Sequence, residues 1–274
     1  MKILITGYKG FIGKNLFKYL KKKKIKVYGY DYSTKKFPSV KGFDWVVHLG
    51  AISSTTETDL NRIMKQNYFF SIKLVNECIN NNVNFQYASS ASVYDVKYGF
   101  KENSKCNPKS PYSLSKYLFD QYIKKLDHKI QIQGFRYFNV FGANEKNKFE
   151  QSSPIYKFIK QAKKNKQINL FYNSNIYKRD FIYVGDVCKV HLKMIKKNIS
   201  GLFNIGRGKS LSFEKIAKVV AEKHSCSINY IKMPIKIRNH YQKFTKANIS
   251  KINKHIKINW KDPLDYIKKV DKID

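Results

Sequence analysis

Lys2-Ile3-Leu4-Ile5-Thr6-Gly7-Tyr8-Lys9-Gly10-Phe11-Ile12-Gly13 opens the chain, and its reading decides the fold. The apolar run before Thr6 predicts a buried parallel strand, and Phe11, Ile12, Leu16, Phe17 and Leu20 recur behind it at helical spacing. Between strand and helix, Gly7, Gly10 and Gly13 predict a tight turn whose backbone amides meet a pyrophosphate at the positive end of the helix dipole. Ile25 to Tyr30 predicts a second strand ending at Asp31, the acidic residue expected about 20 residues beyond such glycines to hold a ribose hydroxyl. A βαβ unit is thereby complete. Further strands are predicted at Phe43–Leu49, Phe85–Ala88, Ile130–Tyr137 and Leu202–Ile205, and helices at Val184–Lys197, Phe213–Lys223 and Leu264–Val270. Their alternation predicts an α/β fold with a Rossmann-like, doubly wound parallel sheet. Beyond Gly142 the pattern turns to a polar loop, a Lys-rich helix and short strands, so a smaller C-terminal lobe is expected. Residues 1–142 with roughly 165–200 are assigned to the dinucleotide-binding domain, and roughly 143–164 with 201–274 to the substrate lobe.

Composition bounds the setting. A chain of 274 residues buries an ample core without staples. Cys78, Cys106, Cys188 and Cys226 form no CxxC pair, which predicts neither a disulfide framework nor a metal site and suits a reducing cytoplasm. Ile3-Leu4-Ile5 is far too short for a signal-peptide core, and no apolar run reaches the length of a membrane span, so a soluble, cytoplasmic protein is expected. The formal charge of +35 invites a nucleic-acid reading, because clustered lysines attract phosphate backbones. Here lysine is spread along the whole chain, arginine is rare, and Asn, Ile, Tyr and Phe are plentiful, as an A+T-rich coding sequence would produce. Lys21 to Lys24 reads as a solvated helix end. No specific nucleic-acid site and no membrane partner are expected.

A second cluster lies at mid-chain: Ser90, then Tyr112-Ser113-Leu114-Ser115-Lys116. A phenol and an ammonium four residues apart share one face of a helix. Together with the glycine turn, they point to redox chemistry on an alcohol.

On these residues the chain resembles the extended short-chain dehydrogenase/reductase family, which includes nucleotide-sugar epimerases and dehydratases. Within that family it looks most like the ADP-L-glycero-D-manno-heptose 6-epimerases of lipopolysaccharide core assembly. The resemblance runs through Ser53-Ser54-Thr55-Thr56-Glu57, Tyr87-Ala88-Ser89-Ser90-Ala91, Gly134-Phe135-Arg136-Tyr137-Phe138-Asn139-Val140, Lys178 to Val187, Tyr241-Gln242 and Phe244-Thr245. Two departures stand out. About a dozen residues separate Asp31 from the strand near Phe43, so the family's third strand and its helix are missing or shortened, and Asp95 replaces the usual Gly after Val-Tyr.

The resemblance implies one tightly bound NADP or NAD per chain, a nucleotide-sugar substrate and a homo-oligomer. Inverting a secondary alcohol that has no acidic C–H is reached by oxidation to the ketone and re-reduction on the other face, chemistry that the cofactor supplies. Tyr112 is then the acid/base, its phenol lowered by the charge of Lys116, which also touches the nicotinamide ribose, and Ser90 hydrogen-bonds the reacting oxygen. Gly7, Gly10, Phe11, Ile12, Gly13, Leu49, Gly50 and Ala51 are expected around the cofactor, with Asp31 and Lys36 at its ribose. Asp31 repels a 2′-phosphate while Lys35 and Lys36 compensate, so NAD and NADP both stay open. Asn67 is expected to support the active-site backbone, and His48 to be structural. Lys178 resembles the second base of the heptose epimerases, although Lys and Arg supply 54 of 274 residues here. Asn139, Arg179, Arg238, Tyr241 and Phe244 fall where the nucleotide-sugar would bind. Dehydratases of the family carry Asp-Glu after the active-site hydroxyl. Ala91 and Ser92 stand there instead, which leaves a redox-neutral epimerase, of ADP-heptose or of a UDP-sugar. A redox-inactive Rossmann sensor or RNA-binding regulator is the alternative, and such proteins usually lose the Tyr or the Lys.

Overall fold

The computed structural model describes residues 1–33, 36–54, 57–235 and 242–271. Six parallel strands form the central sheet in the order β2-β1-β3-β4-β5-β9, with β1 at Lys2–Thr6, β2 at Lys26–Tyr30, β3 at Trp45–His48, β4 at Asn84–Ser90, β5 at Ile132–Tyr137 and β9 at Gly201–Ile205. The chain winds outward from β1 in both directions, so β1 and β3 flank the switch point. A crevice opens there beyond the carboxyl ends of the strands. Among the described residues no strand pairs outside β2, in keeping with the short interval after Asp31.

Helices cover both faces of the sheet. On one, α1 (Phe11–Lys22) and α6 (Val184–Ile195) bury Leu16, Leu20, Cys188, Leu192 and Ile195 against Ile3, Ile5 and Val47. On the other, α3 (Phe70–Asn80) and α4 (Pro111–Lys125) bury Leu74, Val75, Cys78 and Phe119 against Leu4, Val46 and Phe85. The central strands are apolar on both sides because both sides are covered. Phe85 is fully buried, and truncating it to Ala would cost about 3–5 kcal/mol.

The smaller lobe packs α5 (Pro154–Asn165) and α7 (Phe213–His224) through Ile159, Ala162, Ile216 and Val220, with the parallel pair β7 (Gln167–Phe171) and β11 (Ser227–Ile231). A three-stranded sheet, β10-β8-β6, joins β6 (Asn139–Phe141), β8 (Lys178–Tyr183) and β10 (Ser210–Ser212). The sheets divide the chain elsewhere than at residues 165 and 201. Strand β7 pairs within the small lobe, whereas β9 pairs with β5 in the large sheet, where Phe203 and Ile205 complete its core.

Candidate active site

Gly7 leaves β1 with φ of +70°, a conformation that favours glycine, and a Cβ there would lie 2.5 Å from Gly50 Cα. Gly13 fits beneath the turn, where a Cβ would lie 2.2 Å from Gly7 O. Gly10 caps α1 without any side-chain acceptor, so amides at the positive end of that helix remain available to a ligand. Gly7, Gly10, Phe11, Ile12, Gly13, Leu49 and Ala51 all line one cleft of about 350 Å³. Gly50 lies behind Gly7 on a small adjoining hollow with Tyr30, Tyr32 and Phe70. Asp31 follows β2 directly, and its carboxylate accepts from Ser33 N and Oγ at 3.2 and 2.8 Å. Lys36 is exposed, and Lys35 lies outside the described residues, as do Thr55 and Thr56.

The opposite wall of the cleft carries Ser90, Tyr112 and Lys116. Ser90 ends β4. Helix α4 starts at Pro111, one residue before Tyr112, and is capped by Ser110, whose hydroxyl accepts from Ser113 N while Ser113 Oγ accepts from Ser110 N. That start sets Tyr112 and Lys116 one turn apart on one face. Lys116 Nζ donates to Ala88 O at 2.8 Å. Burial pushes its ammonium down to about 8, opposed by the charge of Asp120. Burial pushes the Tyr112 phenol up, and the Ser90 hydroxyl pulls the other way. In this arrangement the ammonium is engaged with the strand carbonyl, and burial is the larger influence on the phenol.

Asn67 sits in a π-helical turn, Met64–Phe69, that aims its amide at the backbone after β3. Its Oδ1 accepts from Ile52 N at 2.8 Å, and its Nδ2 donates to Ile52 O at 2.9 Å and to Ser115 Oγ at 3.2 Å. The amide thus ties the β3 loop to α4, beside the cleft. His48 is buried between Thr6 Oγ1 at 2.6 Å and Ser71 Oγ at 2.8 Å. Burial, aided by Lys116, holds it down to about 3, so it is a neutral strut.

Asn139 lines the cleft, as do Tyr137, Lys148, Gln151, Ser152 and Ser153, five residues that sequence reasoning missed. Buried Glu145 fastens this loop by accepting from Gly142 N at 2.8 Å, Ser153 N at 2.6 Å and Ser153 Oγ at 2.9 Å. Lys148 Nζ lies 4.8 Å from the centre of the Phe11 ring at the start of α1. Burial lowers the Lys148 ammonium, opposed by Glu145. The sequence signal for it was faint: a Glu-x-x-Lys after a strand end, ahead of the Ser-Ser-Pro helix start.

Lys178, Arg179 and Phe244 are not among the residues lining this cleft. Lys178 is exposed at the start of β8, its backbone N donating to Lys243 O at 2.8 Å beside a bridge to Phe244. Arg179 is buried, its Nη1 donating to Lys178 O at 3.0 Å and its guanidinium 5.5 Å from the Phe213 ring. Phe244 packs on Phe100. Arg238 and Tyr241 lie outside the described residues. The cleft thus joins helix-terminal amides, a hydroxyl, a phenol and two ammonium groups, a set able to hold an anionic ligand while moving a proton on and off an alcohol.

Solved structures share this architecture. UDP-N-acetylglucosamine 4-epimerase of Methanobrevibacter ruminantium M1, in complex with UDP-N-acetylmuramic acid, is 23% identical with a TM-score of 0.87, covering 98% of this chain and 96% of that one. ADP-L-glycero-D-manno-heptose-6-epimerase of Helicobacter pylori is 26% identical with a TM-score of 0.84, over 97% and 92% of the two chains. UDP-glucose 4-epimerase of Thermotoga maritima, with UDP-glucose, is 22% identical with a TM-score of 0.86, over 98% and 96%. Residues 3–206 match the NAD dependent epimerase/dehydratase family, and the chain belongs to that family.

Proposed function

We propose that this protein is a nucleotide-sugar epimerase acting without net redox change, with ADP-D-glycero-D-manno-heptose as its substrate and ADP-L-glycero-D-manno-heptose as the product. The observation that carries this reading is one cleft lined by the glycine turn, Ser90, Tyr112, Lys116 and a second, half-buried ammonium, Lys148.

A nicotinamide dinucleotide suits the crevice, because the uncapped start of α1 and the close-packed glycines offer backbone amides to a pyrophosphate. Gly7, Gly10, Phe11, Ile12 and Gly13 would hold the pyrophosphate, Asp31 a ribose hydroxyl, Leu49 and Ala51 the floor, and Lys116 the nicotinamide ribose. The Asp31 carboxylate favours NAD over a cofactor bearing a 2′-phosphate. Bound there, the cofactor supplies oxidation of a secondary alcohol and its reversal. The protein's part is the proton. Tyr112 Oη takes it from and returns it to the sugar hydroxyl, with Ser90 Oγ donating to the same oxygen. The Lys116 charge, desolvated on the cleft wall, counters the negative charge that develops on the phenol. The six-stranded part carries the cofactor, and the lobe of α5 and α7 closes over the sugar.

The second base assigned by resemblance to Lys178 is better placed at Lys148. Lys148 lines the cleft and is depressed by burial, which brings an amine closer to the neutrality a base needs. Two bases suit a sugar presenting either face, as in the heptose epimerases that the chain resembles. Asn139, which lines the cleft on β6, is the proposed contact of the nucleotide's diphosphate, while Lys178 and Arg179 lie outside the cleft.

The deciding experiment offers ADP-D-glycero-D-manno-heptose, UDP-glucose and UDP-N-acetylglucosamine in parallel in deuterated water, with products read by NMR. We expect inversion of the heptose with no deuterium at the inverted carbon. Deuterium there at each turnover would refute the redox route, and conversion of UDP-sugars alone would refute the heptose.

A further inference from the structure

One turn beyond Lys116 on α4, Asp120 is 4% exposed and receives three side-chain donors. Arg136 Nε donates at 2.9 Å, Ser89 Oγ at 2.9 Å and Tyr87 Oη at 3.1 Å. All three come from the sheet below: Tyr87 and Ser89 from β4, and Arg136 from β5, paired in register with Ser89. Arg136 is itself held, Nη1 donating to Glu102 O at 3.2 Å and its guanidinium lying 4.7 Å from the Tyr94 ring. Along β4, then, Tyr87 and Ser89 bind Asp120, the carbonyl of Ala88 between them binds Lys116, and Ser90 comes next in the cleft. A carboxylate that only accepts is the form these donors suit. Burial pushes the Asp120 carboxyl up, and the guanidinium and hydroxyls draw it back.

We propose that Asp120 is a positioning residue for the Tyr112–Lys116 pair: clamped by Arg136, it locks α4 to β4 beside Ser90, and its negative charge is the counter-charge of the Lys116 ammonium. The proposal rests on the reading of Tyr112 and Lys116 as the proton-handling pair. The groups that face Lys116 make the charge argument specific. From β3 comes His48, neutral because burial holds it down to about 3. From β4 comes the Ala88 carbonyl. From α4 itself come Tyr112, a buried phenol pushed up by burial, and Asp120. On β5 nearby, Arg136 is paired with Asp120, and the Tyr137 phenol, which lines the same cleft as Lys116, is pushed up by burial. Among these described residues Asp120 is the anion, one turn from Lys116 on α4 and bonded to the same strand, and its charge opposes the effect of burial on the ammonium. Without it, Lys116 would lose its proton at lower pH.

A buried ion pair is often only a stability element. The test therefore reads a quantity that stability does not move. In the NAD-bound protein, the carbon-13 shift of Lys116 Cε is titrated by NMR, the signal being assigned with Lys116→Met. Asp120→Asn is expected to move the midpoint acidward by about one pH unit, the smaller end of what a nearby opposite charge does. The alkaline limb of kcat should follow, with kcat falling at least about tenfold, at the low end of acid/base contributions, and KM for the nucleotide-sugar little changed. Because Asp120→Asn leaves Arg136 buried and alone, the paired variant Asp120→Asn with Arg136→Met is made alongside, removing both charges together. There the loss of the Arg136 charge offsets part of the loss of Asp120, so Lys116 should move acidward by less. A folded, NAD-binding Asp120→Asn protein in which Lys116 titrates as in the parent, or a paired variant in which its midpoint does not move acidward, would overturn the proposal. The titration needs no turnover, so a parent inactive on every nucleotide-sugar would refute the functional reading and leave this result standing by itself.

Discussion

Replacing Gly13 by alanine puts the glycine turn to a quantitative test. The new methyl carbon would lie 2.2 Å from Gly7 O, 2.8 Å from Tyr8 Cα and 2.9 Å from the Gly7 carbonyl carbon. Weak C–H···O contacts sit at about 3.3–3.6 Å, so the oxygen must retreat by about 1 Å. All three neighbours are backbone and cannot rotate aside. Overpacking costs about 1–3 kcal/mol, and with no flexible neighbour the upper end applies, about 3 kcal/mol. At roughly 2–4 °C per kcal/mol for chains approaching this size, Tm of the cofactor-free protein should fall by roughly 6–12 °C. The turn that moves is the one proposed to hold the pyrophosphate, so NAD should bind at least about tenfold more weakly, a loss of about 1.4 kcal/mol. Gly10→Ala, whose Cβ would meet Gly7 O at 3.2 Å, should destabilise less. Gly42→Ala, at φ of +78° with nothing within 4 Å, is a control that strains the backbone without touching the cleft and should leave NAD affinity alone. Scanning calorimetry and titration of NAD into each variant measure both quantities. A Gly13→Ala protein that melts within about 2 °C of the parent and binds NAD as tightly would refute the reasoning from packing.

Tyr112→Phe should lower turnover by about 10²–10⁴ while NAD stays bound, and single-turnover assays showing a loss under tenfold would remove Tyr112 from the acid/base role. Lys148→Met should impair turnover by a comparable factor, whereas Lys178→Met, outside the cleft, should impair it far less; the opposite pattern in steady-state kinetics would return the second base to Lys178. Stability should fall on acidification from pH 7, because His48 and His191 are buried neutral and held down to about 3 by burial. Both contribute fully above their unfolded value of about 6.5 and lose that contribution as pH falls toward 3, each with a slope approaching about 1.4 kcal/mol per pH unit. Buried Asp120, Glu145 and Asp180, all pushed up by burial, act with the opposite sign near and above the ordinary carboxylate range. The histidine effect should therefore be clearest between about pH 5 and 6.5, and urea titrations across that window check it.

Much of the fold was legible because its causes are local. Apolar runs bounded by glycine give β1 and the turn, and helical spacing gives α1, α6 and α7 within a few residues of the observed ends. The Ser110-Pro111 start of α4 made the Tyr112–Lys116 spacing meaningful, since that spacing matters only on a helix. What the phenol experiences was not legible. Whether Lys116 lowers Tyr112 depends on where its ammonium goes, and that is decided by Ala88 O and Asp120, residues brought near by strand pairing and helix docking. Lys148 escaped notice for a related reason. In a chain where Lys and Arg supply 54 of 274 residues, type alone separates no lysine from the rest, and the distinction lies in the loop that Glu145 pins beside Phe11.

The short passage between Asp31 and Phe43 shows how a departure from the family pattern is absorbed. It leaves β2 as an edge, and an edge strand with open amides invites pairing with another chain. Strand β2 is five residues long and begins at exposed Lys26, both of which discourage such pairing. Next to it, aromatic rings pack against one another. Phe70, at the start of α3, has its ring centre 6.1 Å from Tyr30, 5.3 Å from Tyr32 and 5.3 Å from Phe37, and Lys73 Nζ lies 4.5 Å from the Phe37 ring. Such contacts are worth about 0.5–1.5 kcal/mol each beyond the area they bury. They also shape the hollow behind Gly7, which Tyr30, Tyr32 and Phe70 line. Side chains from β2, the following turn and α3 thus pack around the hollow behind Gly7, and the crevice at β1 and β3 keeps a wall on its β2 side.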